Sequence, residues 1–172
     1  MQTRYGDLWE VDGFHVIPTN LTLRRDGTAV MGRGVAQQAA WRYPALPDAY
    51  GRFLRMRTHP QLFIHHDFQV MCLPVKRHWS ARAELDLIRL GVQQLAALPR
   101  EISPIALPLV GCGFGELSSR IVLPVLAQGL RHDRFLLVLR DAAATRRHAA
   151  TLRSASRQDR RGDPPVPAAS VR

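Results

Sequence analysis

The sequence predicts a single α/β domain in three layers, with a mixed, mainly parallel central sheet that helices cover on both faces. Three observations predict this fold class. Short apolar, β-branched segments alternate along the chain with segments of helical spacing. The loops between them are short, as in units that join parallel strands through a helix. The strand segments are continuously apolar, which is typical of strands buried on both faces.

The individual elements follow from apolar spacing and from the residues that interrupt it. A helix over residues 34–43 ends before Pro44, because the residue before a proline disfavours helical geometry. Strands at 61–64 and 68–73 flank the polar sequence His65-His66-Asp67 and are predicted to pair through a turn there. The remaining predicted strands are 14–18, 105–110 and 135–139, and the remaining predicted helices are 48–57, 83–98 and 119–130.

The composition of the chain changes at about Asp141. Residues 141–172 are rich in alanine, arginine, serine and proline, and they contain seven arginines, three aspartates and no aromatic residue. Such a segment has too little apolar surface to form a packed core. We therefore predict a folded domain over residues 1–140 and a basic, disordered tail over 141–172, in which residues 142–152 are able to continue as a helix.

The charge of the chain favours an anionic partner. Its 24 lysine and arginine residues and 14 acidic residues give a formal net charge of +10. That excess suits a nucleic acid or an anionic ligand, although an arginine-rich surface also serves solubility alone. The only basic residue that is not an arginine is Lys76. A single lysine indicates a position that needs an amine, because a guanidinium does not lose its proton to become a nucleophile.

What the sequence lacks argues against several classes of protein. No apolar run approaches the roughly 20 residues of a membrane span, and the first residues contain no apolar signal segment. The two cysteines, Cys72 and Cys112, form no Cys-x-x-Cys pair, and no His-Glu-x-x-His motif is present. We expect a monomeric cytoplasmic protein with no metal, no cofactor and no membrane partner.

Two glycine-rich loops follow two of the predicted strands. The first spans residues 27–34 and opens directly onto a helix, and the second spans residues 111–115. Glycines let backbone amides approach phosphate oxygens closely, and the N-terminus of a helix adds a positive dipole. Neither loop has the Walker or the dinucleotide-binding pattern. Each alone could be a simple turn, but the pair predicts a clamp for a diphosphate.

Four segments, taken in order, resemble the landmarks of macrodomains, a family of ADP-ribose-binding modules. These segments are residues 6–9, 16–20, 30–36 and 107–115. The resemblance covers about residues 1–140. It implies the three-layer α/β/α macrodomain fold and ADP-ribose, or an ADP-ribosylated substrate, as the partner.

The same resemblance implies which residues contact ADP-ribose. Asp7 would accept a hydrogen bond from the adenine amino group, Asn20 would lie near the distal ribose, and the two loops would enclose the diphosphate. The implied contact residues are Asp7, Leu8, Asn20, Met31, Gly32, Arg33, Gly34, Val35, Gly111, Cys112, Gly113, Phe114 and Gly115. Simpler roles stay open: a cap for Asp7, loop stabilisation for Asn20 and packing for Phe114.

The segment over residues 71–79 resembles the terminal ADP-ribose glycohydrolase branch and, more closely, bacterial antitoxins that remove ADP-ribose from DNA. In that branch a lysine at this place is catalytic, which implies that Lys76 is the nucleophile. Its pKa would have to be lowered, by burial or by the neighbouring Arg77. A phosphate contact is the alternative role for Lys76. His78 and Trp79 either help to hold a base or pack at the surface.

One departure bears on the substrate. The eukaryotic glycohydrolases of this branch carry an acid in the second loop, where this chain has Gly115, whereas the DNA-directed antitoxins resemble this chain there. The resemblance therefore implies removal of ADP-ribose from nucleic acid, with a cognate ADP-ribosyltransferase as a further partner. Alternatives left open are a non-catalytic reader and a hydrolase acting on ADP-ribosylated protein or on ADP-ribose 1″-phosphate.

Overall fold

A computed structural model describes residues 1–140 of the chain. Met1–Leu139 form one compact unit. The predicted tail over 141–172 and the helix allowed at 142–152 lie outside the described residues, so the predicted domain boundary stays a prediction. Within the described part, no helix is long and apolar enough to cross a membrane.

A six-stranded sheet forms the centre of the molecule. In chain order the strands are β1 (Gln2–Tyr5), β2 (Phe14–Asn20), β3 (Phe63–His65), β4 (Val70–Lys76), β5 (Ile105–Pro108) and β6 (Phe135–Leu139). Their spatial order is β1-β6-β5-β2-β4-β3. All neighbours are parallel except β3 and β4, which are antiparallel. The predicted mixed, mainly parallel sheet is thus confirmed.

Helices cover both faces of this sheet. They are α1 (Gly34–Arg42), α2 (Leu46–Arg55), α3 (Leu85–Ala96) and α4 (Ser119–Gly129). Apolar residues of α3 and α4, such as Ile88 and Leu126, share one core with Met71 and Leu73 of β4. Residues of α1 and α2 share the second core with Cys72 of β4. Alternate residues of β4 therefore serve opposite cores, which confirms the three layers.

The structure differs from the predicted elements mainly at the ends of the strands. β1 was not predicted, because all four of its residues are exposed at the edge of the sheet and carry no apolar pattern. β3 is shifted to Phe63–His65, so the turn begins after His65 instead of at it. β2 and β4 run on to Asn20 and Lys76, which places both residues at the same edge of the sheet.

A buried arginine holds the far end of α3. The guanidinium of Arg134, only 8% exposed, donates hydrogen bonds to the carbonyls of four residues at the C-terminus of this helix and just beyond it. The bond to Leu98 O is 2.9 Å long. This contact satisfies carbonyls that the end of a helix leaves without partners, and a cation there also complements the helix dipole.

We predict that Arg134→Lys destabilises the domain although it keeps the positive charge. An ammonium has three donors and no planar fork, so it leaves some of these buried carbonyls unsatisfied, at a cost of about 1–3 kcal/mol. Urea unfolding measures the effect. The matched control is Arg131→Lys, since Arg131 is exposed and its side chain makes one hydrogen bond, to Gln128 O, within the described residues. Equal midpoints for the two variants would contradict the role of Arg134.

A candidate ADP-ribose cleft between two glycine loops

The candidate site lies where the carboxyl ends of the central parallel strands meet. Asn20 ends β2 opposite Lys76, which ends β4. The loop over residues 27–34 follows β2, and the loop over residues 111–115 follows β5. In open α/β sheets this edge is where crevices for ligands form. The fold thus brings both glycine loops and Lys76 to one place, as the sequence predicts.

Asn20 fixes the first loop through both ends of its side-chain amide. Its Nδ2 donates to Val30 O at 2.8 Å, and its Oδ1 accepts from Thr22 N at 2.9 Å. The side chain is 9% exposed. Asn20 therefore stabilises the loop, the simpler of the two roles open from the sequence, and its contact with a ribose stays a prediction.

The first loop ends in a helix N-terminus with free donors. α1 begins at Gly34, whose φ is +58°, a left-handed conformation that favours glycine. Arg33 in the N-cap position makes no capping hydrogen bond with its side chain. Among residues 1–140, no acceptor pairs with the amides of Gly34 and Val35. Such amides at the positive end of a helix bind anions. The side chain of Met31 is buried, so only the main chain of this residue could contact a ligand.

The glycines of the second loop fall into two classes. A Cβ at Gly115 would lie 2.4 Å from Gly111 O, and one at Gly111 would lie 2.7 Å from the side chain of Ile88. These two glycines are required by the packing of the protein itself. A Cβ at Gly113 would meet nothing within 4 Å, and the same holds for Gly32 in the first loop. Both of these are exposed, so they leave space that a ligand can use.

The two loops touch each other through Phe114. Its ring would lie 3.3 Å from a Cβ at Gly34, and its centroid is 5.6 Å from the guanidinium carbon of Arg33. The ring is nevertheless 62% exposed. Cys112 of the same loop is half-buried, and burial raises the pKa of the Cys112 thiol. Phe114 thus lies over the first loop and does not belong to either core.

Lys76 links β4 to the second loop. Its Nζ donates to Phe114 O at 2.8 Å, to Ala81 O at 2.9 Å and to Trp79 O at 3.4 Å. All three acceptors are main-chain carbonyls, and nothing in the sequence pattern identified them. An ammonium with three donors matches three acceptors. In this state Lys76 is therefore well suited to its protonated form.

The surroundings of Lys76 also act against that form. Desolvation lowers the pKa of its amine, the negative charge of Glu116 raises it, and the positive charge of Arg33 lowers it. The net direction is downward. Of the two causes expected from the sequence, burial is the larger one at work, and the cation that contributes is Arg33 and not Arg77. The Nε of Arg77 pairs with Glu84 Oε2 at 3.2 Å. The second loop supplies the carbonyl of Phe114 that Lys76 contacts, and the first loop supplies the positive charge of Arg33.

Asp7 and Leu8 lie before β2 in a single 3-10 turn, Leu8–Glu10. The Asp7 carboxylate accepts a hydrogen bond from Trp9 N at 3.1 Å and so caps this turn. The Leu8 side chain is buried. The cap is the simpler role that the sequence left open for Asp7, and the contact of Asp7 with adenine stays a prediction. Over residues 1–140, no cluster of three or more potential metal ligands is present.

Comparisons with curated proteins relate this chain to one kind of protein. No family model matches the chain. A DNA ADP-ribosyl transferase–DNA ADP-ribosyl glycohydrolase fusion protein of Thermosipho africanus is 26% identical over 148 residues, which cover 72% of this chain and 38% of that protein. A DNA ADP-ribosyl glycohydrolase of Mycobacterium tuberculosis is 33% identical over 98 residues, covering 51% of this chain and 28% of that protein. The chain thus spans less than half the length of these relatives.

Solved structures show the same fold. The macrodomain of Mycobacterium tuberculosis DarG has a TM-score of 0.68 and 27% identity, and the match covers 81% of this chain and 97% of that one. DarTG of Thermosipho africanus, solved in complex with ADP-ribose, has a TM-score of 0.68 and 20% identity over 83% of this chain and 42% of its own. The chain therefore has the macrodomain fold. Among proteins of that fold its similarity is to the DarG branch, so the resemblance predicted from the sequence is confirmed.

The two classes of loop glycine predict opposite responses to one added methyl group. We expect Gly115→Ala to cost about 1–3 kcal/mol of stability, because its Cβ would overlap a backbone oxygen that cannot move aside freely. Gly113→Ala, the matched control, should leave the melting temperature unchanged because the space is open. Thermal unfolding followed by circular dichroism compares them. A similar loss in both variants would show that the loop is not packed as described.

Proposed function

We propose that this chain is an ADP-ribosyl glycohydrolase that binds ADP-ribose in the cleft between its two loops and removes it from nucleic acid through Lys76. The observation that carries the proposal is the position of the single lysine. Its Nζ lies 2.8 Å from Phe114 O in the second loop, and the charge of Arg33 in the first loop acts on it. Any ligand clamped by both loops would therefore lie beside this amine.

The loops divide the binding of ADP-ribose between them in this proposal. The free amides of Gly34 and Val35 receive a phosphate, and the open space at Gly32 and Gly113 admits the diphosphate. The carboxylate of Asp7 accepts a hydrogen bond from the adenine amino group. Support comes from the Thermosipho africanus DarTG structure, which shares the fold and contains ADP-ribose.

The proposed chemistry uses the amine of Lys76 as a nucleophile. The neutral amine attacks the anomeric carbon of the distal ribose, and a carbon–nitrogen bond forms. The bond from that carbon to the modified base breaks, and its electron pair leaves with the base, which takes up a proton. The bound sugar opens to a Schiff base, which water hydrolyses, releasing ADP-ribose and restoring the amine. The amine must first lose a proton, and burial together with Arg33 favours that loss.

Nucleic acid is the proposed carrier of the modification for two reasons. The net charge of +10 favours a polyanion, and the curated relatives are named for DNA. Because one relative is a fusion with a transferase, we also propose a cognate ADP-ribosyltransferase as the enzyme that supplies the substrate. The monomeric state and the cytoplasmic location expected from the sequence belong to the same proposal.

A reader of ADP-ribose without catalytic activity is the second candidate. It is favoured by the three carbonyl partners of Lys76 Nζ, because they suit an ammonium that anchors the second loop. In that case the lysine has a structural role, and the cleft binds its ligand without turnover. The two candidates differ in whether the wild type releases ADP-ribose from a modified substrate.

We predict that ADP-ribose binds with micromolar affinity or better, which is about −8 kcal/mol at 1 μM. Gly113→Glu should abolish binding, because the carboxylate would occupy the space for the diphosphate and repel it. The variant should remain folded, since a side chain at this position starts in open space. Isothermal titration calorimetry measures both proteins. If Gly113→Glu gave the same heat of binding as the wild type, the second loop would not be part of the ligand site.

We predict that neither Lys76→Ala nor Lys76→Arg releases ADP-ribose from a modified oligonucleotide, while both still bind free ADP-ribose. Arginine keeps the positive charge and several donors for the carbonyls, but it supplies no free amine at any working pH. Release is measured by chromatography of the products. Trapping with borohydride during turnover should also attach the sugar to Lys76, with the N-terminal amine as the only competing amine in the sequence.

The control for this experiment is Arg77→Lys, which adds an amine one residue away on a side chain that pairs with Glu84. Introduced into Lys76→Ala, it should not restore release, because the position of the amine matters and not its presence. Release restored by arginine at position 76 would favour a charge contact by this residue, whereas no release by the wild type would favour the reader. Full release by Lys76→Arg would exclude the covalent step.

A further inference from the structure

An exposed tryptophan lies beside the amine of Lys76. The side chain of Trp79 is 46% exposed, and its carbonyl accepts a hydrogen bond from Lys76 Nζ. The Trp79 ring belongs to neither apolar core of the described residues. A large apolar ring left in water forgoes the burial that would stabilise it. Because the carbonyl of the same residue lies 3.4 Å from Lys76 Nζ, this exposed ring calls for an explanation outside the folding of the domain.

The backbone that carries Trp79 is fixed on several sides. Its amide donates to Thr22 Oγ1 at 3.0 Å, which ties it to the segment after β2. Ala81 N donates to His78 O at 3.1 Å and closes a tight turn, and His78 Nδ1 lies 2.7 Å from Ser80 Oγ. The imidazole of His78 and the indole are 5.7 Å apart. The ring of Trp79 is thus exposed but held on a constrained turn, as a preformed contact surface requires.

A second residue with an exposed ring also accepts a hydrogen bond from the amine of Lys76. Phe114, 62% exposed, offers its carbonyl to Lys76 Nζ from the second loop. Lys76 therefore donates at the same time to the two residues that carry exposed aromatic rings. In the proposed function, Phe114 belongs to the loop over the phosphates and the distal ribose. The ring of Trp79 is then available to contact the leaving group, on the other side of the bond that is broken.

We propose that Trp79 is a positioning residue whose indole stacks on the nucleobase that carries the ADP-ribose. This inference rests on the proposed function and names the leaving-group side of the site. Aromatic side chains stack on bases of any sequence, because every base has a π-face. A base inside a duplex has both faces covered, so the modified base must be unpaired or flipped out to make this contact. An ADP-ribosylated aliphatic side chain, such as that of serine or glutamate, offers no such face.

The test compares Trp79→Ala and Trp79→Phe with the wild type. Stacking on an aromatic side chain corresponds to a factor of about 5 to 150 in affinity. We expect Trp79→Ala to raise KM for an ADP-ribosylated single-stranded oligonucleotide at least fivefold, and Trp79→Phe to recover most of the loss. The Kd for free ADP-ribose should not change, because the backbone contacts of residue 79 remain. A merely structural role would weaken both.

The matched control is Trp41→Ala. Trp41 is a second exposed tryptophan, 61% exposed, near the C-terminal end of α1 and away from its N-terminus in the cleft. Its removal should leave KM unchanged. Binding of an unmodified single-stranded oligonucleotide, measured by fluorescence anisotropy, gives a readout that does not depend on turnover. Trp79→Ala should weaken it and Trp41→Ala should not.

The outcomes separate this inference from the proposed function. If the wild type releases ADP-ribose and Trp79→Ala has an unchanged KM, the stacking role is wrong and the glycohydrolase stands. If the wild type releases nothing, the proposed function fails, and equal oligonucleotide binding by the Trp79→Ala and Trp41→Ala variants then overturns the stacking role as well. Faster release from an ADP-ribosylated peptide than from the oligonucleotide, unaffected by Trp79→Ala, would also overturn it.

Discussion

The parallel pairing of β2 with β4 is the constraint on which the site depends. It places Asn20 opposite Lys76 at the carboxyl edge of the sheet. Asn20 holds the first loop through Val30, and Lys76 holds the second loop through Phe114. Each strand of this pair therefore holds one wall of the cleft through its last residue. A slip of either strand by one residue would turn its last side chain to the opposite face of the sheet and separate the walls.

The fold could be predicted from the sequence largely because its strands are buried. Continuous apolar segments such as β4 can be recognised by composition alone, and their alternation with helices fixes a mainly parallel sheet. β1 could not be found in this way, because an exposed edge strand carries no apolar pattern. The resemblance to macrodomains supplied the rest of the architecture. It did so through loops whose glycines are constrained by packing, as at Gly111 and Gly115.

The site could be predicted in its parts but not in its contacts. The composition showed that the chain has a single lysine, and the spacing of the glycines along the sequence showed the two loops. The neighbour in the chain, Arg77, was a poor guide to the charge that Lys76 experiences, because a salt bridge turns it towards Glu84. Arg33 acts on Lys76 instead, although 43 residues separate the two in the sequence. Only the folded chain shows such contacts.

The partners of Lys76 have a consequence for how this site can change over time. Every acceptor around its ammonium is a main-chain oxygen, contributed by Trp79, Ala81 and Phe114. Replacing the side chains at these positions leaves the oxygens in place as long as the backbone path is kept. Substitutions there can therefore accumulate and alter what the rings recognise, while the setting of the amine persists. If the proposed function holds, recognition by the rings of Trp79 and Phe114 and the chemistry of the amine can change separately.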